Sequence, residues 1–140
     1  MVAAYNKSAQ PFGLVVTGEA ESWLPALEQI VSPRWLTTYR AGSGRELLDV
    51  VEGGLADAAV LDDAAAWDVD VLHVLRMISR VNTVLPVVVV TAHRDRRWLE
   101  DALRLAVFSV VARPLEFEEL LRQIHRMMAR LDRTLRGGPR

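Results

Sequence analysis

The stretch Ala56-Asp57-Ala58-Ala59-Val60-Leu61-Asp62-Asp63 decides which fold we expect of this chain. Four small or apolar residues, 58–61, run without interruption and end abruptly in two carboxylates. A short run of this kind is typical of a strand that is buried on both faces of a parallel sheet. In open α/β sheets, sites lie beyond the carboxyl ends of the strands. The stretch therefore predicts a central strand that presents Asp62 at a functional edge.

The composition of the 140-residue chain is that of an ordinary globular domain. Hydrophobic residues make up 51% of it and charged residues 25%, and the net charge is −1, which gives no reason to expect nucleic-acid or membrane binding. The absence of cysteine excludes disulfides, thiolate catalysis and cysteine-ligated metals. The longest apolar run, 84–90, is too short to span a bilayer, and residues 1–11 lack the apolar core of a signal peptide. We therefore expect a cytoplasmic protein.

Strands and helices are predicted to alternate strictly along the chain. β-prone or apolar runs are separated by segments whose apolar residues recur at helical spacing. Such alternation favours a doubly wound, five-stranded parallel sheet in a three-layer α/β/α arrangement. We expect one domain over residues 12–135, with a flexible arm at 1–11 and a tail at 136–140. The predicted strands are 14–17, 35–40, 57–62, 85–90 and 107–112, and the predicted helices are 23–31, 45–52, 71–78, 94–106 and 116–135.

The carboxyl ends of the predicted strands collect a small set of polar side chains. Because parallel strands all end at the same edge, residues that follow different strands come together there. The first strand contributes Glu19 after Gly18, the third Asp62 with Asp63, the fourth Thr91 and the fifth Arg113. The edge therefore combines carboxylates with one hydroxyl and one cation.

Four segments around this edge resemble motifs of one known family. Residues 41–48 resemble A-x-x-G-x-E-A-L, residues 57–62 resemble P-D-L-V-L-L-D, residues 85–92 resemble L-P-V-I-x-L-[ST]-A, and residues 113–121 resemble K-P-F-x-x-x-E-L. Each motif alone is weak, but the four occur in order at the right separations. Over roughly residues 12–130 the chain is similar to the receiver domain of two-component response regulators, in an atypical or pseudo-receiver form.

The resemblance implies a flavodoxin-like (βα)5 fold and a role in phosphorelay signalling. Asp62 would accept a phosphoryl group from a sensor histidine kinase or another signalling protein, with Thr91 and Arg113 on the phosphoryl oxygens. Mg²⁺ would be held by Glu19, Asp62 and the backbone carbonyl of Ala64. No enzymatic activity is expected beyond self-phosphorylation on Asp62 and autodephosphorylation.

The chain departs from the receiver pattern at several of these positions. Gly18 replaces the first of two adjacent acids, so the Mg²⁺ site is expected to be weak or absent. Arg113 replaces a lysine and could bind Asp62 directly, because its guanidinium is planar and bidentate. Val110 stands where the family has an aromatic switch residue, and the loop 63–70 lacks the M-P-x-x-D-G pattern. These changes leave an alternative open, in which the domain is a phosphorylation-independent adaptor for protein–protein contacts.

Several of the residues at this edge, and others near it, also have simpler interpretations. Glu19 could be a helix N-terminal acid stabilised by the helix dipole instead of a metal ligand. Asp63 is interpreted as a solvated loop acid in preference to a substitute metal ligand, and in an inactive site Thr91 would only hydrogen-bond loop backbone. His93 is interpreted as structural or surface, as are His73 and His125, and Trp98 as a residue at an interface.

The last predicted helix carries a heptad-like apolar seam. Its first half is expected to pack on the sheet. Its second half, from about Met127, is expected to extend past the usual end of the domain, so that Met128, Leu131 and Leu135 have no obvious intramolecular partner. The resemblance implies homodimerisation through the fourth helix, fifth strand and fifth helix, which this overhang would suit; a frayed helix or the start of a linker is the alternative. The opposite face, which is basic, is expected to be solvated. The seam comprises Phe117, Leu121, Ile124, Met128, Leu131 and Leu135, and the basic face Arg122, Arg126, Arg130, Arg133 and Arg136.

Overall fold

The computed structural model describes residues 11–17, 23–63, 70–105 and 107–135, with side chains described as far as Leu131. The predicted arm (1–11) and tail (136–140) therefore lie outside the described residues, apart from Pro11. The strands are β1 (Phe12–Thr17), β2 (Leu36–Ala41), β3 (Ala58–Asp62), β4 (Val87–Thr91) and β5 (Ser109–Ala112). The helices are α1 (Leu24–Ile30), α2 (Gly44–Glu52), α3 (Val71–Val81), α4 (Arg96–Arg104) and α5 (Phe117–Leu135).

Within the described residues, the strands form one parallel sheet in the order β2-β1-β3-β4-β5. This is the strand order of the flavodoxin-like class. All residues of β3 and of β4 are buried, as the continuous apolar runs in their sequences predict. The flavodoxin-like, doubly wound fold expected from the sequence is confirmed.

Helices cover both faces of the sheet and enclose two apolar cores. On one face α1 and α5 pack against alternate residues of β1, β3 and β4, including Val16, Val60 and Val90. On the other face α2, α3 and α4 pack against the intervening residues, including Val15 and Val89. Because successive side chains of a strand point to opposite faces, this division follows directly from the strand sequences.

Side-chain caps fix where three of the helices begin. Ser43 accepts a hydrogen bond from the backbone of Glu46 at the start of α2, and Glu46 accepts one from the backbone of Gly42. Asp70 caps α3, and Asp95 caps α4. No helix in the described ranges is long and apolar enough to cross a membrane.

The register of α5 differs from the expected seam. The fully buried residues are Leu120, Ile124 and Met127, whereas Met128 and Leu131 are half-buried and pack against the same core. The prediction that Met128 and Leu131 lack an intramolecular partner is therefore wrong, because the helix lies on the sheet along more of its length than expected. The side chain of Leu135 lies outside the described residues.

The basic face of α5 is also more than a solvated surface. The guanidinium groups of Arg126 and Arg130 each lie 5.7 Å from the ring centroid of Phe108, which directly precedes β5. This distance is within the range of cation–π contacts. The aromatic partner comes from another element, so the helix sequence alone could not indicate it.

Candidate functional site

The centre of the candidate site is Asp62, the last residue of β3. Its register partner on β4 is Val90, and only 3% of the residue is exposed. A carboxylate at this depth requires polar or cationic partners, because an uncompensated buried charge is costly. The fold thus places Asp62 at the carboxyl edge of the sheet, as predicted, and buries it more completely than a loop acid.

Arg113, directly after β5, supplies the compensating charge. Its Nη2 donates a hydrogen bond to Oδ2 of Asp62, and 30% of the Arg113 side chain is exposed. The backbone of Arg113 is fixed as well, since its N–H donates to the Thr91 carbonyl at 2.9 Å and its carbonyl accepts from Nη2 of Arg94 at 2.8 Å. The expectation that Arg113 could bind Asp62 directly is met by this geometry.

Thr91, the last residue of β4, is buried, and its hydroxyl is engaged by two neighbours. The hydroxyl donates a hydrogen bond to Oδ2 of Asp63, and its oxygen accepts one from the backbone N–H of His93 at 2.9 Å. The side chain of Asp63 is 14% exposed. The interpretation of Asp63 as a solvated loop acid is therefore wrong.

The sheet register explains why Asp63 reaches Thr91. Asp62 is the partner of Val90, and the backbone N–H of Asp63 donates to the Val90 carbonyl at 3.0 Å. The residues that follow this pair, Asp63 after Asp62 and Thr91 after Val90, are therefore neighbours. Sequence reasoning missed this pair because the register between two parallel strands is set by their packing, and neither strand reveals it alone.

His93 extends the cluster toward α4. Its imidazole stacks on the indole of Trp98 with a centroid separation of 4.4 Å and an interplanar angle of 9°. Its Nε2 lies 3.8 Å from Oδ2 of Asp63. Trp98 is half-buried and packs against the core formed with α2, α3 and α4. His93, interpreted from the sequence as structural or surface, is thus a direct neighbour of the candidate site.

Comparisons with known proteins agree with this architecture. No family model matches the chain. The transcriptional regulatory protein ZraR of Escherichia coli is similar, with 28% identity over 89 residues that cover 64% of this chain and 20% of ZraR. The matched segment therefore spans about a fifth of that regulator's length.

Solved structures of receiver domains superpose closely on the chain. A CheY-like receiver domain protein from Methanospirillum hungatei gives a TM-score of 0.74 at 14% identity, covering 89% of this chain and 98% of that one. The non-phosphorylated HemR receiver domain from Leptospira biflexa gives 0.71 at 21% identity, covering 84% and 94%. A putative response regulator from Chloroflexus aurantiacus gives 0.68 at 21% identity, covering 85% and 98%.

The chain has the fold of a response regulator receiver domain. The resemblance derived from the four sequence motifs is confirmed, and Asp62, Thr91 and Arg113 lie together at the edge where that fold places a site. Val110 is half-buried against the core formed with α2, α3 and α4, so an aliphatic side chain stands on β5 where the receiver pattern has an aromatic one.

The metal part of the receiver site stays a prediction. Of the three expected ligands, Asp62 is described, whereas Glu19 and the Ala64 carbonyl lie outside the described residues. Among the residues that the structure does describe, no group of three or more histidine, aspartate or glutamate side chains could hold a metal ion. The described side chains do not by themselves form a metal site.

The third carboxylate of the stretch 56–63, Asp57, serves the scaffold. Its Oδ2 accepts a hydrogen bond from the backbone N–H of Gly13 at 2.8 Å, and its own N–H donates to the Gly13 carbonyl at 2.7 Å. These bonds join the start of β1 to the start of β3, at the end of the sheet opposite Asp62. Asp57, which directly precedes β3, and Asp62, which ends it, therefore have separate roles.

Proposed function

We propose that this chain is a receiver domain of a two-component signalling pathway, with Asp62 as its phosphoacceptor. One observation carries the proposal: a buried carboxylate stands at the carboxyl end of the central strand with a guanidinium paired to it. The similarity to ZraR and to receiver structures supports the same assignment. The donor would be a sensor histidine kinase or another phosphorylated signalling protein in the cytoplasm.

The proposed chemistry is transfer of a phosphoryl group to a carboxylate. An oxygen of Asp62 attacks the phosphorus of a phosphohistidine, the P–N bond breaks, and its electron pair leaves with the imidazole, which takes up a proton. An acyl phosphate forms on Asp62, and water later hydrolyses it. Such reactions depend on positioning and on neutralisation of charge, and Arg113 supplies a cation beside the reacting carboxylate. No further enzymatic activity is proposed.

Intact-mass spectrometry with a small phosphodonor and Mg²⁺ tests this assignment. The wild-type chain should gain the mass of one phosphoryl group, and Asp62→Asn should gain none. Asp57→Asn is the matched control, because it removes a carboxylate that directly precedes β3, at the opposite end of the sheet, and it should be phosphorylated like the wild type. Absence of a gain in the wild type, or an undiminished gain in Asp62→Asn, would overturn the proposal.

A second candidate function is a phosphorylation-independent adaptor. The pairing of Arg113 with Asp62 and of Thr91 with Asp63 favours it, because the two groups expected to bind a phosphoryl oxygen already have carboxylate partners. An adaptor should show no phosphate gain, and its amide NMR spectrum should not change when beryllofluoride, a phosphoryl analogue, is added with Mg²⁺. A specific spectral change confined to residues around Asp62 would exclude it.

Mg²⁺ binding and dimerisation are separate parts of the proposal. Asp62, Glu19 and the Ala64 carbonyl would hold Mg²⁺, which when bound would neutralise charge at the reacting oxygens. Glu19→Gln should then lower the affinity for Mg²⁺, as measured by a titration followed by tryptophan fluorescence.

A homodimer would form through α4, β5 and α5, where Leu103 is 58% exposed. Light scattering should detect a dimer at high concentration that Leu103→Asp converts to monomer. A monomeric wild type would refute the dimer.

A further inference from the structure

The contact between Asp63 and Thr91 is a direct hydrogen bond between a carboxylate and a hydroxyl. A threonine hydroxyl has one proton to donate, and here that proton is directed at Oδ2 of Asp63. The hydroxyl therefore cannot donate at the same time to a group attached to Asp62. The second polar contact of this oxygen, from the His93 backbone, uses a lone pair and does not release the proton.

The surroundings make this bond a fixed feature of the site. Thr91 is 1% exposed and the side chain of Asp63 14%, so water competes little for either group. The backbone of Asp63 is held by the Val90 carbonyl, and the backbone of Arg113 is held by the Thr91 carbonyl. Hydrogen bonds to charged acceptors are shorter and stronger than those between neutral groups.

The same hydroxyl is linked to α4 through one residue. The backbone of His93 is bonded to Thr91, and its ring lies face to face with Trp98 on α4. A movement of Thr91 would therefore move the His93 backbone and disturb the stack. On β5, Val110 offers no aromatic ring that could report the position of Thr91.

We propose that Asp63 is a positioning residue, whose carboxylate takes the place of a phosphoryl group as the hydrogen-bond acceptor of the Thr91 hydroxyl. It holds the β4–α4 loop in place without a phosphoryl group, and the stack of His93 on Trp98 transmits the position of Thr91 to α4. This inference deepens the proposed function, because it concerns the regulation of the same site. Its test needs no phosphate, so the two can fail separately.

The experiment follows the amide signal of His93 and the indole N–H signal of Trp98 by NMR, in the absence of any phosphodonor. The chain has four tryptophans, and Trp98→Phe assigns the relevant indole signal. Asp63→Ala and Thr91→Val should each shift both signals, and the double variant should give the same end point as Thr91→Val, because without the hydroxyl the loss of the Asp63 carboxylate removes no further bond to Thr91. Asp49→Ala, which removes an exposed acid on α2, should shift neither.

Two outcomes would overturn the inference. One is that Asp63→Ala leaves both signals as they are in Asp49→Ala, and the other is that the shifts of the two single variants add in the double variant. If circular dichroism shows that Asp63→Ala is unfolded, Asp63→Asn is read by the same criteria. Asn keeps the size and a neutral acceptor, so its shifts should lie between those of the wild type and of Thr91→Val.

A second arm connects the inference to phosphorylation. Asp63→Asn should raise the initial rate of Asp62 phosphorylation about tenfold, the factor that corresponds to about 1.4 kcal/mol, because the Thr91 hydroxyl is released from a charged acceptor. An unchanged or lower rate in a chain that is phosphorylated would count against the inference. A complete absence of phosphorylation in every variant would refute the proposed function instead, and the indole signal would still decide the role of Asp63.

Discussion

Arg113 reaches across β4 to pair with Asp62. β4 lies between β3 and β5 in the sheet, so the two residues lie at the ends of strands that are two positions apart, about 10 Å at the usual strand spacing. A long side chain with its charge at the tip spans this distance, and Nη2 of the guanidinium donates to Oδ2 of the carboxylate. The negative charge that the fold buries at the end of β3 is thereby compensated.

The first prediction concerns the stability that this pair confers. Arg113→Ala should lower the free energy of unfolding by about 3 kcal/mol, because it leaves a nearly buried carboxylate without its cation. The loss should be smaller in Arg113→Ala combined with Asp62→Asn, because no uncompensated charge remains. Urea unfolding of the wild type, both single variants and the double variant measures this coupling. If the losses of the two single variants add, the pair is not coupled.

The second prediction concerns the chemical identity of the cation. Arg113→Lys keeps the charge but replaces a planar fork by a single flexible ammonium group. The variant should be phosphorylated faster than the wild type, because a flexible ammonium group holds the Asp62 carboxylate less firmly than a planar guanidinium does. Initial rates by intact-mass spectrometry give the comparison, and Arg104→Lys on the exposed face of α4 is the matched control. A slower Arg113→Lys would mean that the guanidinium itself is required.

The sequence predicted the arrangement of strands and the edge of the site, which depend on the order of the elements along the chain. Alternation of apolar strands and amphipathic helices was enough for the sheet, and the edge at which Asp62, Thr91 and Arg113 meet followed from parallel topology. These features depend on the order of elements, which the sequence carries directly.

The partners of individual side chains were harder to predict. That Thr91 bonds Asp63 depends on the register of β3 against β4, and the proximity of His93 to Asp63 depends on where α4 begins. On α5, Met127 instead of Met128 is fully buried, because the direction in which the helix lies on the sheet decides which of two adjacent methionines points inward. Packing between elements decides these details, and local patterns do not contain it.

The third prediction separates the scaffold acid from the site acid. Asp57→Ala removes the acceptor of the Gly13 N–H, and leaving that donor without its partner should cost about 1–3 kcal/mol of unfolding free energy. Asp57→Asn keeps an acceptor oxygen and should cost less. Asp49→Ala on the surface of α2 should change the free energy by no more than about 0.5 kcal/mol. Equal stability of Asp57→Ala and Asp49→Ala would show that the bond between β1 and β3 contributes nothing.

The fourth prediction uses two adjacent methionines to test the register of α5. Met127 is fully buried in the core formed with α1, whereas Met128 is half-buried at its margin. Met127→Ala should therefore lower the free energy of unfolding by about 2–5 kcal/mol, as expected for a cavity left in a packed core. Met128→Ala removes the same atoms from a site that is already partly in water, so it should cost about 1 kcal/mol. Urea denaturation with equal m-values gives both numbers. If Met128→Ala lowered the free energy of unfolding more than Met127→Ala does, this register would be wrong. The seam predicted from the heptad pattern would then be supported, with Met127 available for contacts outside the domain.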